Sequence, residues 1–331
     1  MFALALGLTT ACNPDDPDPG PGWGLVFEDL DPALLSVWGG GHDDVWTVGA
    51  DAGDGPMVLR FDGSDWTRLA TQASGNLWWV AGRSDAVWMA GEGGLILRYD
   101  RGAEDFEIMT TPESDVIMFG VLPVAADDVW AVGGNALENR GVLWHYDGSD
   151  WIEDPEATAL LGDTGLLFKI WGESSEDLFV VGAEGVGLRR DSSGWTTTPI
   201  PTGRRLFTVH GSGEDVVAVG GFSSGLIVEW DGAEWVDVSP AGVPQLNGVY
   251  VEPDGRATAV GIEGSIWRRD AAGQPWRELE GTPPVLWDYH AAYVDPQGDA
   301  WAVGGFVISE PYNRGLLSHY GLPVSDAITG E

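Results

Sequence analysis

Seven short segments of the chain repeat one order of residues: a polar or glycine start, a run of apolar residues, and a glycine. They read DDVWTVGA (43–50), DAVWMAGE (85–92), DDVWAVGG (127–134), EDLFVVGA (176–183), EDVVAVGG (214–221), GRATAVGI (255–262) and GDAWAVGG (298–305). The steps between their aligned glycines are 42, 42, 49, 38, 41 and 43 residues for Gly49, Gly91, Gly133, Gly182, Gly220, Gly261 and Gly304. A period near forty residues predicts an array of supersecondary units.

Each unit contains four segments of strand length. A short apolar strand such as LSVWGG (35–40) precedes the repeated strand, and a third strand ends in an aromatic-Asp-Gly corner, as in MVLRFDGSDW (57–66). The tryptophan that closes the corner opens a fourth strand. Because no helical periodicity occurs, the pattern predicts an all-β, seven-bladed β-propeller with four antiparallel strands per blade. Neighbouring blades would bury the two apolar faces of each sheet, with tryptophans filling the space between them.

The last blade lacks a fourth strand at its C-terminal end. The segment GWGLVFEDL (22–30) places Trp23 where Trp66 and Trp235 stand in their own units. We therefore expect this N-terminal strand to complete blade seven, which leaves no bare sheet edge at the closure. The predicted propeller spans residues 23–321 and is followed by a tail, 322–331.

The first residues of the chain resemble a bacterial lipoprotein signal. Residues 2–11 are apolar or small, and Thr10 and Ala11 precede Cys12, the only cysteine, as in a lipobox. The resemblance implies a signal peptide over 1–12, lipidation of Cys12, and a location at the cell envelope, on the outer membrane or cell surface, or secretion. Residues 13–22 read as a Pro/Asp-rich linker. The alternative is a cytosolic protein with an apolar tail and a free thiol.

The charge is strongly negative. Sixteen Lys and Arg stand against 52 Asp and Glu, a net charge of −36, and Lys169 is the only lysine. Such a surface argues against nucleic acid and anionic lipid as partners, so the lipid anchor is the only membrane contact expected. Solubility explains the charge, and divalent-cation binding is the alternative. The densest acidic loop, 49–56, offers only Asp51 and Asp54 and lacks the spacing of a calcium loop.

Three repeats carry a family resemblance. VWMAGEGGLILRYD (87–100), FVVGAEGVGLRRD (179–191) and TAVGIEGSIWRRD (258–270) resemble BNR-like and photosystem-assembly-factor-like propellers. Blades three and seven, with AVGG followed by HYD or HYG, resemble kelch repeats. The resemblance implies the fold and leaves function open, because such repeats are structural. The arginines, Tyr–Glu pair and acid of sialidase-type propellers are not matched residue by residue.

The surrounding sequence does not support a catalytic or metal-binding motif. GFSSG (221–225) matches a nucleophile elbow, but it lies between two strands instead of a strand and a helix. None of the five histidines has metal-binding spacing, so no metal, cofactor or catalytic residue is predicted. His145 and His319 share one repeat position, which indicates a structural role. An aromatic collar around the channel, or packing between blades, explains Trp38, Trp171, His210, Tyr250 and Tyr293.

Variable loops point to one face of the ring. The loops joining strands two and three are long in blades three (134–141) and seven (305–315), and so are the inter-blade connections 154–165 and 280–290. Long loops on a rigid scaffold are where binding usually occurs. The candidate ligand contacts are Asn139, Arg140, Trp287, Asp288, Glu310, Tyr312, Asn313 and Arg314.

Two functions fit these observations. We favour a non-catalytic, monomeric binding or scaffold module of the cell envelope that recognises a protein or glycan through the long loops. The alternative is a propeller glycoside hydrolase or polysaccharide lyase, in which Glu310 and Asp288 would supply the acids.

Overall fold

Seven antiparallel sheets surround a central channel in the computed structural model, which describes residues 20–162 and 165–330. The first strand of each sheet contacts the first strands of both neighbours, and the last such contact returns to blade one, so the ring is closed. The predicted seven-bladed propeller is therefore confirmed. Cys12 and the linker up to residue 19 lie outside the described residues.

The strands follow the chain in order. The N-terminal strand is β1 (Gly22–Leu30). Blade one holds β2 (Leu34–Gly41), β3 (Asp44–Asp51), β4 (Pro56–Phe61) and β5 (Trp66–Arg68). Blade two holds β6 (Leu77–Gly82), β7 (Ala86–Gly91), β8 (Ile96–Asp100) and β9 (Asp105–Ile108). Blade three holds β10 (Ile117–Ala125), β11 (Asp128–Asn135), β12 (Arg140–Tyr146) and β13 (Trp151–Glu153), and the helix α1 (Pro155–Leu161) follows it.

The second half repeats this arrangement. Blade four holds β14 (Leu167–Ser174), β15 (Asp177–Gly182), β16 (Gly187–Asp191) and β17 (Gly194–Thr197). Blade five holds β18 (Leu206–Ser212), β19 (Asp215–Gly221), β20 (Gly225–Trp230) and β21 (Trp235–Asp237). Blade six holds β22 (Leu246–Val251), β23 (Ala257–Gly261), β24 (Ile266–Arg269) and β25 (Arg277–Glu278). Blade seven holds β26 (Asp288–Val294), β27 (Ala300–Phe306) and β28 (Asn313–Gly321), and the tail ends in β29 (Ile328–Thr329).

The N-terminal strand completes blade seven, as the sequence predicts. Strand β1 pairs antiparallel with β28, and Trp23 lies opposite Tyr320. Trp66 lies opposite Phe61 in blade one in the same way. The ring is thus closed by a sheet whose strands come from both ends of the chain.

The C-terminal tail contains a strand that the sequence analysis did not identify. Strand β29 pairs parallel with β5, with Ile328 opposite Trp66, and makes blade one five-stranded. The hydroxyl of Ser325 donates to Asp65 Oδ1 at 2.9 Å just before this strand. A two-residue strand carries too little alternation to be recognised from its sequence.

A short helix corrects the expectation that the chain is free of helices. It lies in the long connection after blade three and begins at Pro155, with Asp154 Oδ1 accepting the backbone N–H of Ala157 at 2.8 Å. Its buried residues Ala157 and Leu161 pack between blades three and four. The signal was present, because Asp before Pro is a favourable N-cap.

Tryptophans fill the space between blades, as predicted. The most deeply buried large side chains include Trp46, Trp66, Trp88, Trp144, Trp235 and Trp301. At the closure, the Trp66 ring centroid lies 5.8 Å from that of Trp301 in blade seven and 5.5 Å from that of Phe27 in β1. Rings of this size bury a large apolar area at each blade interface, which holds the ring together.

The two faces of the ring differ in their connections. One face, which we name the turn face, carries the turns between first and second strands and the Asp-Gly corners. In blade one, Asp62 Oδ1 accepts the backbone N–H groups of Ser64 and Asp65 at 2.9 and 3.0 Å, and Gly63 has φ +92°. These bonds lower the pKa of Asp62. The other connections form the opposite, long-loop face.

Candidate functional site

Every first strand contains a β-bulge one residue after the position that pairs with the repeated glycine of the second strand. The register of β6 shows the pattern, because Leu77 pairs with Gly91 and Trp79 with Ala90, which leaves Trp78 unpaired. The seven bulged residues form what we name the bulge ring: Leu35, Trp78, Phe119, Phe168, Phe207, Asn247 and His290. A bulge re-aims the side chain it carries, and here six of the seven side chains line one cavity in the channel.

The aromatic members of the bulge ring are in contact. The ring centroids of Trp78 and Phe119 are 5.6 Å apart, those of Phe119 and Phe168 5.5 Å, and those of Phe168 and Phe207 5.7 Å. On its other side, Trp78 lies 5.9 Å from His290. Together with neighbouring side chains, these rings enclose a cavity of about 140 Å³. We name it the ring chamber; its lining is Trp78, Phe119, Phe168, Lys169, Phe207, Thr208, Asn247 and His290.

Lys169 is the charged member of the ring chamber. Its side chain is 4% exposed, and its Nζ donates to the carbonyl of Phe119 at 2.5 Å. The Nζ also lies 3.9 Å from the centroid of Trp79. Among the described residues, no carboxylate lies within ion-pair distance of this amine. Burial lowers the pKa of Lys169 to about 7, because a low-dielectric site disfavours the charged form.

The remaining polar groups of the ring chamber bind backbone carbonyls across blade boundaries. Thr208 donates to the carbonyl of Asn247 at 2.7 Å, and the Asn247 amide donates to that of Tyr289 at 2.8 Å. His290 Nδ1 donates to the carbonyl of Leu35 at 2.5 Å. Burial, reinforced by the charge of Lys169, lowers the pKa of His290 to about 4. His290 is therefore neutral at physiological pH, and Lys169 is the only cation of the chamber.

A larger cavity of about 560 Å³ opens on the long-loop face, and we name it the mouth. It is lined by Asp51, Gly53, Gly75, Asn76, Glu92, Glu310, Pro311 and Tyr312. Tyr312 connects the mouth to the ring chamber, because its ring centroid lies 5.5 Å from that of Trp78. Asp51 accepts three backbone N–H groups, which lower its pKa, and Glu92 accepts the backbone and amide groups of Asn76. Glu310 is exposed.

The structure distributes the predicted contact residues over three places. Glu310 and Tyr312 line the mouth. On blade three, Asn139 has φ +52° in the β11–β12 loop. Arg140 binds both oxygens of Glu113 at 2.9 and 3.1 Å and Glu138 at 3.2 Å. These ion pairs raise the pKa of Arg140 and occupy its guanidinium within the protein.

The other four predicted residues lie at the junction of blades six and seven. Arg314 lies 5.8 Å from the ring of Trp287 and binds Asp29 at 2.9 Å. Asn313 begins β28. Asp288 Oδ1 accepts the backbone N–H of Glu263 at 2.9 Å, and burial raises the pKa of this carboxyl. The mouth lining contains Glu310 but not Asp288, so the two proposed acids do not share that cavity.

Exposed apolar side chains mark the long-loop face more clearly than the predicted polar ones. Leu137, Leu286, Ile308 and Phe222 are 99, 86, 79 and 71% exposed, the highest values among the large apolar side chains described. All four lie in connections of the long-loop face, between β11 and β12, β25 and β26, β27 and β28, and β19 and β20. None of the four is among the contact residues predicted from the sequence, although apolar residues at loop tips were visible there.

A third cavity, of about 210 Å³, lies further along the channel than the ring chamber. Its lining includes Trp38, Trp79, Trp171, His210, Tyr250 and Tyr293. We name it the collar chamber. The five residues for which the sequence suggested a collar or inter-blade packing all line this cavity, and Trp171 and Tyr293 also belong to apolar clusters between blades.

Comparison with known proteins identifies a shared architecture. No family model matches the sequence, and no curated protein sequence matches it. YCF48 from Cyanidioschyzon merolae superposes with a TM-score of 0.69 at 15% identity, over 91% of this chain and 99% of that one. YCF48 bound to D1 peptide gives 0.68 at 14% identity, over 91% and 97%. The WD40 repeats of RRP9 give 0.68 at 9% identity, over 92% and 99%.

Among the helices described, none has the length and apolar character required to cross a membrane. Sequence identities this low establish a common fold and nothing about ligand or partner. The likeness extends over nine-tenths of the chain. The chain is thus a β-propeller of the same architecture as YCF48 and the WD40 repeat proteins.

Proposed function

We propose that this chain is a protein-binding propeller that holds an extended peptide segment across its long-loop face. The observation that carries the proposal is the display of Leu137, Phe222, Leu286 and Ile308 on that face. Leaving a large apolar side chain in water costs roughly 1.5–3 kcal/mol relative to burial. A partner that covers these tips recovers this free energy, whereas solubility alone would favour polar tips.

The negative charge of the mouth favours some classes of peptide partner over others. Asp51, Glu92 and Glu310 line the mouth of a chain whose net charge is −36. The expected peptide is therefore neutral or basic and carries aliphatic or aromatic side chains. The ring chamber below, at about 140 Å³, is close to the roughly 150 Å³ of an apolar cavity that holds benzene. Its volume suits one anchoring side chain of the peptide.

One fold neighbour supports a peptide as the ligand. Its structure is that of YCF48 bound to D1 peptide, which shows that a propeller of this architecture can hold a peptide. The argument is an analogy of fold and adds to the chemistry of the loop tips. Binding of this kind requires no catalytic residue, and the proposed role is that of a binding or scaffold module.

The proposal includes a place in the cell. The lipobox-like residues before Cys12 support an envelope protein that is lipidated at this cysteine. Metabolic labelling with an alkyne fatty acid should mark the wild-type chain and leave Cys12→Ser unlabelled. Equal labelling of both chains would remove the anchor from the proposal and leave the binding face unaffected.

A random peptide library displayed on phage tests the binding face. The wild-type chain should enrich apolar, neutral-to-basic peptides, and the double variant Leu137→Ser/Ile308→Ser should lose about tenfold or more in affinity for them. Ile152→Ser/Val236→Ser is the matched control, because these side chains are also exposed but lie on outer strands. Equal losses in both variants, or no enrichment by the wild type, would contradict the proposal.

The same material tests the hydrolase or lyase alternative. A panel of polysaccharides incubated with the wild-type chain should remain uncleaved. Cleavage that disappears in Glu310→Gln or Asp288→Asn would replace the binding proposal with an enzymatic one. Retention of an uncleaved glycan on the long-loop face would change the partner class from protein to glycan.

A further inference from the structure

Four side chains converge on the turn face where blade seven meets blade one. His42 lies in the β2–β3 turn, Asp295 and Asp299 in the β26–β27 turn, and His319 in β28. His42 Nδ1 is 3.2 Å from Asp295 Oδ2 and 3.3 Å from Asp299 Oδ2. His319 Nε2 is 3.5 Å from the same oxygen of Asp299. The ligand atoms of His42 and the two aspartates all lie within 4.8 Å of one another.

The equivalent junction between blades three and four has no such cluster, and its side chains form a hydrogen-bonded network instead. Asp128 Oδ1 accepts the indole N–H of Trp130 at 2.9 Å and lies 2.8 Å from His145 Nε2. The hydroxyl of Ser175, in the first turn of blade four, donates to Asp128 Oδ2. A serine, a histidine and a tryptophan thus satisfy one carboxylate, and the network is complete.

Blade seven keeps this arrangement but leaves it unsatisfied. Asp299, Trp301 and His319 occupy the positions of Asp128, Trp130 and His145 by strand register. Yet the buried Nε2 of His319 has no hydrogen-bond partner within the described structure. His319 is 3% exposed. An unpartnered buried nitrogen of this kind costs about 1–3 kcal/mol and requires an explanation.

Two residue differences distinguish the junctions. His42 stands four residues after Trp38, as Ser175 stands four residues after Trp171. Asp295 follows Tyr293 by two residues and adds a second carboxylate, whereas the corresponding residue of blade three, two after Leu122, is a valine. A hydrogen-bonded network with one carboxylate has become a pair of imidazoles and a pair of carboxylates.

The second carboxylate is buried and held in place. The Asp295 side chain is fully buried, and its Oδ1 accepts the backbone N–H groups of Gln297 and Asp299 at 2.9 and 3.0 Å. Its Oδ2 is thereby directed at His42. Fixing one oxygen by backbone bonds while the other is presented to the cluster is how proteins orient a carboxylate ligand.

The cluster lacks the cation that balances the equivalent carboxylates elsewhere. Asp44, which matches Asp299 in blade one, binds Arg101 at 2.7 Å, and Asp215 in blade five binds Arg269 at 2.5 Å. In the described parts of the chain, no arginine or lysine lies within ion-pair distance of Asp295 or Asp299. Two nearby carboxylates, one of them buried, require a positive charge.

We propose that this junction binds a transition-metal dication, best fitted by Zn²⁺, through His42 Nδ1, Asp295 Oδ2 and Asp299 Oδ2, with His319 Nε2 beside Asp299. Tetrahedral zinc with bonds of about 2.0–2.1 Å places its ligand atoms roughly 3.3–3.4 Å apart. The distances of 3.2 and 3.3 Å from His42 Nδ1 to the two carboxylates match this spacing. A set of one imidazole and two carboxylates suits zinc better than calcium, which prefers oxygen alone.

The metal would act as a clamp on the closure of the ring. Its ligands come from blade one on one side and from the β26–β27 turn of blade seven on the other. The C-terminal strands of blade seven, β26 to β28, are joined covalently to blade one only through the whole ring, whereas β1 leads directly into β2. A metal that binds only the closed form stabilises it by mass action. Spacing along the sequence could not reveal the site, because His42 and Asp295 are 253 residues apart.

Zinc titration of the full chain tests the site. After treatment with EDTA, calorimetric titration with ZnCl₂ should show one zinc per chain bound far more tightly than by the remaining surface carboxylates. Saturating zinc should raise Tm by roughly 5 °C. Cobalt in place of zinc should give visible absorption bands of four-coordinate intensity, a direct readout of geometry.

Variants distinguish zinc bound at this junction from zinc bound by other carboxylates of the acidic chain. His42→Ser introduces the residue type found at the equivalent position of blade four, Ser175, so the chain should fold and bind zinc about 100-fold or more weakly, without the Tm shift. Asp295→Asn should act likewise. His145→Gln, a histidine substitution at the other junction, should leave the titration unchanged. The proposal is overturned if zinc does not change the Tm of the wild-type chain, or if the tight zinc site persists in His42→Ser.

Discussion

The collar chamber and the ring chamber lie at two levels of one channel and differ in one buried polar group, the amine of Lys169. In the collar chamber, His210 Nδ1 accepts the backbone N–H of Val251 at 3.0 Å, and its ring lies 4.3 Å from that of Tyr250. Burial lowers the pKa of His210 to about 3, so the imidazole is neutral. In the ring chamber, Lys169 carries an amine that has one carbonyl partner and, among the described residues, no anion.

This difference in buried charge distinguishes the two cavities energetically. A buried polar group with a partner stabilises the fold, whereas a buried amine without a counter-charge lowers stability. Costs of this kind concentrate at binding and catalytic sites. The ring chamber also lies beneath the mouth, through the contact of Tyr312 with Trp78. The chamber that carries the cost is therefore the one that the proposed ligand would reach.

Replacing Lys169 by methionine should have the largest effect on this comparison. The difference between a folded pKa of about 7 and the ordinary value of 10.5 corresponds to roughly 5 kcal/mol, and the lost hydrogen bond offsets about 1 kcal/mol. We expect Lys169→Met to raise the free energy of unfolding by about 2–4 kcal/mol near neutral pH, measured by urea denaturation. A destabilised variant would show that the amine is well accommodated.

The pH dependence of stability should show the same amine. Because the folded pKa is below the unfolded one, the unfolded chain binds an extra proton between about pH 7 and 10.5, and stability rises with pH across this window. From pH 7.5 to 9.5 we expect a gain of roughly 2–3 kcal/mol in urea denaturation. In Lys169→Met the gain should disappear. An equal gain in both chains would assign it to other groups.

The collar chamber should respond in the opposite direction. His210→Phe keeps a ring beside Tyr250 but leaves the N–H of Val251 without its acceptor. We expect the free energy of unfolding to fall by about 1–3 kcal/mol, again by urea denaturation. A neutral or stabilising result would remove the distinction between the two chambers.

Opening the ring chamber should have the smallest effect. Tyr312→Ala removes an edge-to-face contact with Trp78 and should cost about 1 kcal/mol. Water then reaches Lys169, so the rise of stability between pH 7.5 and 9.5 should become shallower. Tyr320→Ala, which removes the ring beside Trp23 on the turn face, is the control and should keep the full pH dependence.

The fold could be predicted because its information is local and repeated. Each aromatic-Asp-Gly corner marks the same turn, and Trp23 identifies the missing strand because its setting matches that of Trp66. The helix at Pro155 and the strand at Ile328 were missed, since each occurs once and has no repeat to confirm it. The prediction of the fold depended on the repetition of these motifs more than on the secondary-structure propensity of single segments.

The candidate site was less predictable because it depends on β-bulges, which displace side chains from the strand alternation, and on closure of the ring. Periodicity of two does not show a bulge, so the inward placement of Phe119 and Phe168 could not be derived from alternation. The aromatic residue in this position of four successive blades was the available signal. The cluster at His42 and Asp295 joins distant parts of the chain, and only ring closure brings them together.

The direction of β1 has a consequence for orientation. Gly22 pairs with Gly321 at the turn face, and Leu30 pairs with Gly315 at the opposite end of the strand. Whatever precedes Gly22 is therefore attached on the side that carries the Asp-Gly corners. If Cys12 carries the proposed lipid, the chain enters the propeller on the face opposite the one that displays Leu137 and Ile308.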